Sequence, residues 1–165
     1  MTQEVKTLHH ALELAVATED MASDYYRRLA EKFADEAEVK QVFEQLSADE
    51  EGHKKAFKTI LDNAAGREQV LSDDPNYEYL KAAAQSKFFD KDYFENIGDI
   101  NSTEEALGRA LGLEKATLLY YEGLRDYLQH DDNLEKVISA EKRHVANLIR
   151  IIPTEAKFRS LDDSF

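Results

Sequence analysis

The chain has 165 residues, 34 acidic against 21 basic side chains, a net charge of −13 and no cysteine. That length suits one domain that buries its own core, and the charge opposes nucleic acid and anionic membranes as partners. Without cysteine there are no disulfides, thiolate zinc sites or cysteine-ligated iron–sulfur centres, so any metal must be held by oxygen and nitrogen.

The opening residues Met1 to His10 lack the positive start and apolar run of a signal peptide. No later stretch reaches the roughly 20 apolar residues of a membrane span. The expectation is a soluble, cytoplasmic protein. Two prolines and six glycines leave little punctuation for strands, and the abundance of alanine, leucine, glutamate and lysine favours helix.

A first helix is predicted over 6–34, with Leu8, Leu12, Ala15, Glu19, Ala22, Tyr26, Leu29 and Phe33 tracing one face. Glu19 interrupts that apolar stripe. After a turn near Asp35, where Asp35 and Glu38 have capping-box spacing, a second helix is predicted over 36–65, ending at Gly66. Its inner stripe runs through Leu46, Glu50, His53, Phe57 and Ile60, again with polar residues at mid-length.

Residues 67–101 lose the regular pattern. Asp73-Asp74-Pro75 reads as the start of one short helix through Tyr77, Leu80 and Ala84, and the aromatic group Phe88, Phe89, Tyr93 and Phe94 is expected to plug the bundle. So long a connection can cross a bundle from end to end, which lets the helices on either side of it run parallel. A third long helix is predicted from Ser102, capped with Glu105, to Leu128, burying Leu107, Leu111, Glu114, Leu118 and Tyr121. A fourth, with Asp132 and Glu135 at its start, carries Val137, Glu141, His144 and Leu148 and stops at Pro153. The last dozen residues read as a docked or frayed tail.

The halves repeat each other. Glu19, Tyr25, Tyr26 and Leu29 match Glu114, Tyr120, Tyr121 and Leu124 at identical offsets, and Leu46, Glu50, His53 and Phe57 match Val137, Glu141, His144 and Leu148. The fold class is therefore all-α: a four-helix bundle with a long crossover between its second and third helices, one domain over 1–165. The duplicated hairpins cover about 6–66 and 102–152, joined by the crossover at 67–101.

Glutamate and histidine at i and i+3 leave the same side of a helix about one turn apart, so both can reach one ion. Two such pairs, Glu50/His53 and Glu141/His144, stand level with Glu19 and Glu114 across their hairpins. Tyr25 and Tyr120 lie about 100° round the helix and are expected to pack on a neighbouring helix or a second subunit. Two buried Glu–His hydrogen bonds would use the histidines, but would leave two core carboxylates uncompensated at several kcal/mol each. Two divalent cations remove that cost, and a set of four carboxylates and two imidazoles suits iron or manganese.

On Glu19, Glu50, His53, Glu114, Glu141 and His144, with Tyr26 and Tyr121 seven residues beyond the two hairpin-opening glutamates, the chain resembles the ferritin-like domain of the rubrerythrin family. The resemblance implies a carboxylate-bridged centre of two iron ions, with manganese or a mixed pair using the same ligands. Glu50 and Glu141 would bridge, Glu19 and Glu114 would be terminal ligands, and His53 and His144 would each cap one ion. It also implies an oxidoreductase that reduces hydrogen peroxide or reacts with oxygen, or alternatively a protein that oxidises and stores iron. Tyr26 and Tyr121 are expected to pack in the core with their hydroxyls on carboxylates, or to act as an electron relay. Full-length rubrerythrins carry a cysteine-ligated rubredoxin domain as donor, so here electrons are expected from a separate, rubredoxin-like partner. A homodimer or higher homo-oligomer is expected. Thr117 stands where such proteins tend to carry a further glutamate.

Overall fold

The apolar periodicity is realised as helix. In the computed structural model, which describes residues 5–66 and 69–152, α1 (Leu8–Lys32) and α2 (Ala37–Ala64) form the first hairpin. The crossover follows, with α3 (Tyr77–Ala84), a 3-10 turn at Lys87–Phe89, and α4 (Lys91–Glu95). The second hairpin is α5 (Thr103–Leu128) and α6 (Asp132–Ile151). The described residues contain no β-strand, only one antiparallel bridge between Thr7 and Val70. It ties the start of the crossover to the start of α1 through Leu8 N–H to Gln69 O and Leu71 N–H to Lys6 O, each 3.0 Å. No helix among the described residues is long and apolar enough to cross a membrane. Pro153 and the tail beyond it lie outside the described residues.

Caps set where the helices begin. Ser102 Oγ accepts from Glu105 N–H at 3.1 Å, the first bond of the expected box, while the Glu105 side chain reaches past the cap to Asn101 N–H, also at 3.1 Å, in place of Ser102 N–H. The other two expected boxes do not form. On α6 the cap is Asp131, whose Oδ1 accepts from both Asn133 and Leu134. That leaves Glu135 free to take Arg125 of α5 in a two-pronged pair at 2.7 and 2.9 Å. The α2 helix starts after Glu36 with no side-chain cap, so Asp35 and Glu38 have the spacing without the bond.

Small residues hold α1 and α2 close together. Ser23 Oγ donates to Ser47 O at 2.9 Å and Ser47 Oγ to Ser23 O at 2.8 Å, a reciprocal clasp at the seam.

The crossover differs from expectation in having two short helices rather than one. Ser86 and Asp90 each accept a backbone N–H two residues on and restart the helix locally. Its aromatic group closes on the core: Phe94 is a buried member of one apolar cluster with Phe88 and Tyr93 against it, and Phe89 lies against the other. Tyr93 and Phe94 lie 5.7 and 5.8 Å from the Tyr25 ring, and Phe89 lies 5.1 Å from that of Tyr120. The crossover thus covers the flanks of α1 and α5 turned away from the inner stripe. Tyr25 and Tyr120 are fully buried there within one chain.

The core is divided. One apolar cluster gathers Leu8, Leu12, Phe57, Ile60, Leu124, Leu134 and Ile138; the other gathers Ala22, Leu29, Phe43, Leu46, Leu107, Leu111 and Leu148. Sequence order along each long helix places the buried polar residues between them, at mid-length.

Candidate metal centre

Each long helix contributes to that polar layer. Glu19 comes from α1, Glu50 and His53 from α2, Glu114 from α5, and Glu141 and His144 from α6. The four glutamates are only 1–2 % exposed and the histidines 6–7 %. All six residues singled out in the sequence are brought together. They fall into two donor groups, Glu19/Glu50/His53/Glu141 and Glu50/Glu114/Glu141/His144, each with one ligand atom per residue and all such atoms within 4.8 Å of one another. Glu50 and Glu141 belong to both.

The two histidines turn Nδ1 into the cluster. His53 Nδ1 is hydrogen-bonded to Glu50 Oε2 at 2.8 Å and lies 2.9 Å from Glu141 Oε1 and 3.8 Å from Glu19 Oε2. His144 Nδ1 is hydrogen-bonded to Glu114 Oε2 at 3.0 Å and lies 3.6 Å from Glu50 Oε1. The rings stand 5.5 Å apart. Tyr121 donates its hydroxyl proton to Glu19 Oε1 and Tyr26 donates to Glu114 Oε1, so each tyrosine steadies the glutamate of the opposite hairpin. Their rings pack on Phe57 and Phe43.

Four carboxylates in one dry layer disfavour their own charge. Burial and then the neighbouring carboxylates push Glu50 and Glu141 well above the ordinary range, and burial pushes Glu19 up to about 7. Glu114 goes the other way, because its bonds to His144, Glu141 and Tyr26 together outweigh burial. Burial depresses His53 to about 4; at His144 burial is outweighed by Glu114 and Asp49, which raise it. The cluster therefore holds protons where cations could stand.

Two oxygens fit that description. Glu50 Oε1 and Glu141 Oε1 are buried without any hydrogen bond; His53 Nδ1 approaches Glu141 Oε1 to 2.9 Å without hydrogen-bond geometry. Unbonded oxygens on the two shared carboxylates, facing two imidazole nitrogens, are what a pair of divalent cations would use. Four carboxylates would neutralise the pair.

Sequence reasoning missed Asp49. Its Oδ2 accepts from His144 Nε2–H at 3.1 Å, and its Oδ1 accepts from Gln45 at 2.9 Å. The available signal was its place one residue before Glu50, about 100° round α2 and towards α6. Thr117 is the second addition: its Oγ1 lies 3.3 Å from Glu141 Oε2 while also meeting Leu113 O and Glu114 O on its own helix.

Among protein families, the Rubrerythrin model matches residues 10–152, which take in all but the first two residues of the four long helices and every residue of the cluster. No curated protein and no solved structure matches the chain.

Proposed function

The chain belongs to the rubrerythrin family, and from that premise we propose that it is a di-metal oxidoreductase that reduces hydrogen peroxide or reacts with oxygen. The observation that carries this reading is the pair of donor groups sharing Glu50 and Glu141. Glu19 and His53 would complete one position, Glu114 and His144 the other. Iron is the metal we assign; a manganese or mixed pair would use the same oxygen and nitrogen donors. Once bound, the metal pair supplies the redox chemistry.

The protein's own residues do the rest. Tyr26 and Tyr121 fix the orientation of Glu114 and Glu19, and as buried phenols pushed well above their usual range they remain donors. The two apolar clusters flank the layer and keep bulk water from it. Electrons come from outside these 165 residues, which contain no cysteine; a rubredoxin-like donor protein is the proposed source. The same reading expects a cytoplasmic protein acting as a homodimer or larger homo-oligomer.

Anaerobic loading with Fe(II), followed by stopped-flow absorbance against peroxide and oxygen in parallel, tests this. The expected result is two irons bound per chain and oxidation by peroxide faster than by oxygen. Failure to bind iron or manganese would sink the reading. Oxidation of many Fe(II) ions per chain, within an assembly large enough by light scattering to enclose a cavity, would assign iron storage instead.

A further inference from the structure

The repeat that builds the centre is not copied faithfully around it. The first motif reads Asp49-Glu50-Glu51-Gly52-His53 and the second Ala140-Glu141-Lys142-Arg143-His144. Asp49 crosses from α2 to meet His144 Nε2 at 3.1 Å. Ala140, its counterpart, has no polar side chain to meet His53, and His53 Nε2 has no hydrogen-bond partner among the described residues. Thr117 breaks the symmetry in the same sense. It places a hydroxyl 3.3 Å from Glu141 Oε2, the oxygen on the His144 side, at 3.9 Å from His144 Nδ1. The residue at Thr117's offset in the first half is Ala22.

An imidazole that donates Nε2–H to a carboxylate has its tautomer and ring angle fixed, and its Nδ1 becomes a stronger ligand. An imidazole without that partner pays for its own orientation when it binds. We infer, on the di-metal reading above, that Asp49 is a positioning residue that makes the two metal positions unequal: the Glu50/Glu114/Glu141/His144 position binds more tightly and fills first, and the His53 position is the exchangeable one. The carboxylate of Asp49 is partly exposed, at 37 %, so it acts through His144 from the rim and does not itself add a charge to the buried layer. Gln45 holds its other oxygen.

The test is a titration of metal-free protein with Mn(II), with free ion followed by its electron paramagnetic resonance signal and the coupled pair by its own spectrum. The wild-type protein should bind two ions in steps at least about tenfold apart, the first equivalent giving an uncoupled spectrum. Asp49→Ala should weaken the tighter step by about 10- to 100-fold and close the gap, with Asp49→Asn between the two. Ala140→Asp should tighten the weaker step. Thermal melting of each metal-free variant checks that it folds; Asp49→Asn keeps the shape of the native side chain if Asp49→Ala does not. An unchanged gap in both Asp49 variants, or a loss confined to the weaker step, overturns the inference. Two ions bound to the wild type with inseparable constants overturn it while leaving the di-metal reading intact. No Mn(II) or Fe(II) bound at all removes both.

Discussion

The hydroxyls of Tyr26 and Tyr121 are the links between hairpins that most directly touch the buried carboxylates. Tyr121 is fully buried and its proton goes to Glu19. Tyr121→Phe would leave Glu19 Oε1 without a donor where water does not reach. Leaving a buried acceptor unsatisfied costs about 1–3 kcal/mol, so the metal-free variant should lose stability in that range in urea titrations. Burial raises Glu19, and the bonds from Glu50 and Tyr121 hold that rise in check; removing Tyr121's bond should therefore lift the Glu19 titration above about 7, measurable by carboxylate NMR. A variant as stable as wild type, with Glu19 unmoved, would show the phenol to be only filler. At this scale the six Glu and His residues were legible because a charge on an apolar stripe stands out in one helix at a time. Asp49 was not, since its partner His144 lies on another helix and its place beside Glu50 gives a direction round α2 without identifying that partner.

Among the elements, the long helices announce themselves through sustained periodicity, while the crossover is too short-stepped to do so. What seats it is a close approach on α5. A Cβ placed on Gly112 would lie 2.6 Å from Phe88 Cζ and 2.9 Å from Cε1, whereas one on Gly108, a turn earlier, would meet nothing within 4 Å. Phe88 is itself held edge-on to Tyr93 at 4.9 Å, and Tyr93 donates to Arg109 O at 2.7 Å. Alanine is favoured over glycine within a helix by about 1 kcal/mol, and overpacking costs about 1–3 kcal/mol. Gly108→Ala should therefore stabilise by about 1 kcal/mol, and Gly112→Ala should lose about 1 kcal/mol net, in chemical denaturation. Phe88→Ala in the Gly112→Ala background should recover part of that loss, as coupled neighbours do. Equal gains from both glycine variants would mean that the crossover is not seated through Phe88. No feature of the 67–101 sequence could reveal this contact, because half of it belongs to α5.

For the whole molecule, the duplicated hairpin and the all-α class followed from the repeat itself: a polar layer at mid-length in all four helices makes sense only if the four meet. The asymmetry of the centre and the flank-covering crossover did not follow, because both depend on how the helices turn against one another. The central layer also couples global stability to pH. Glu19 is raised by burial to about 7 from 4.5, so the folded chain holds a proton that the unfolded chain has released, and stability falls as pH rises through that window. His53 is lowered by burial to about 4 from 6.5 and works oppositely, its contribution growing as pH rises from about 4 to 6.5. Above 6.5 His53 is neutral in both states and that opposition ends. Glu50 and Glu141, raised by burial and by their neighbours, and His144, raised by Glu114 and Asp49 against the effect of burial, then all act in the same direction as Glu19. The metal-free protein should lose stability as pH rises above 6.5, read as a falling urea midpoint at constant ionic strength. Mn(II) competes for the same oxygens and gains affinity as protons leave, so saturating Mn(II) should flatten or reverse the slope. Parallel curves with and without the ion would mean that the ion binds elsewhere, and a flat metal-free curve would mean that the carboxylates do not keep their protons in the fold.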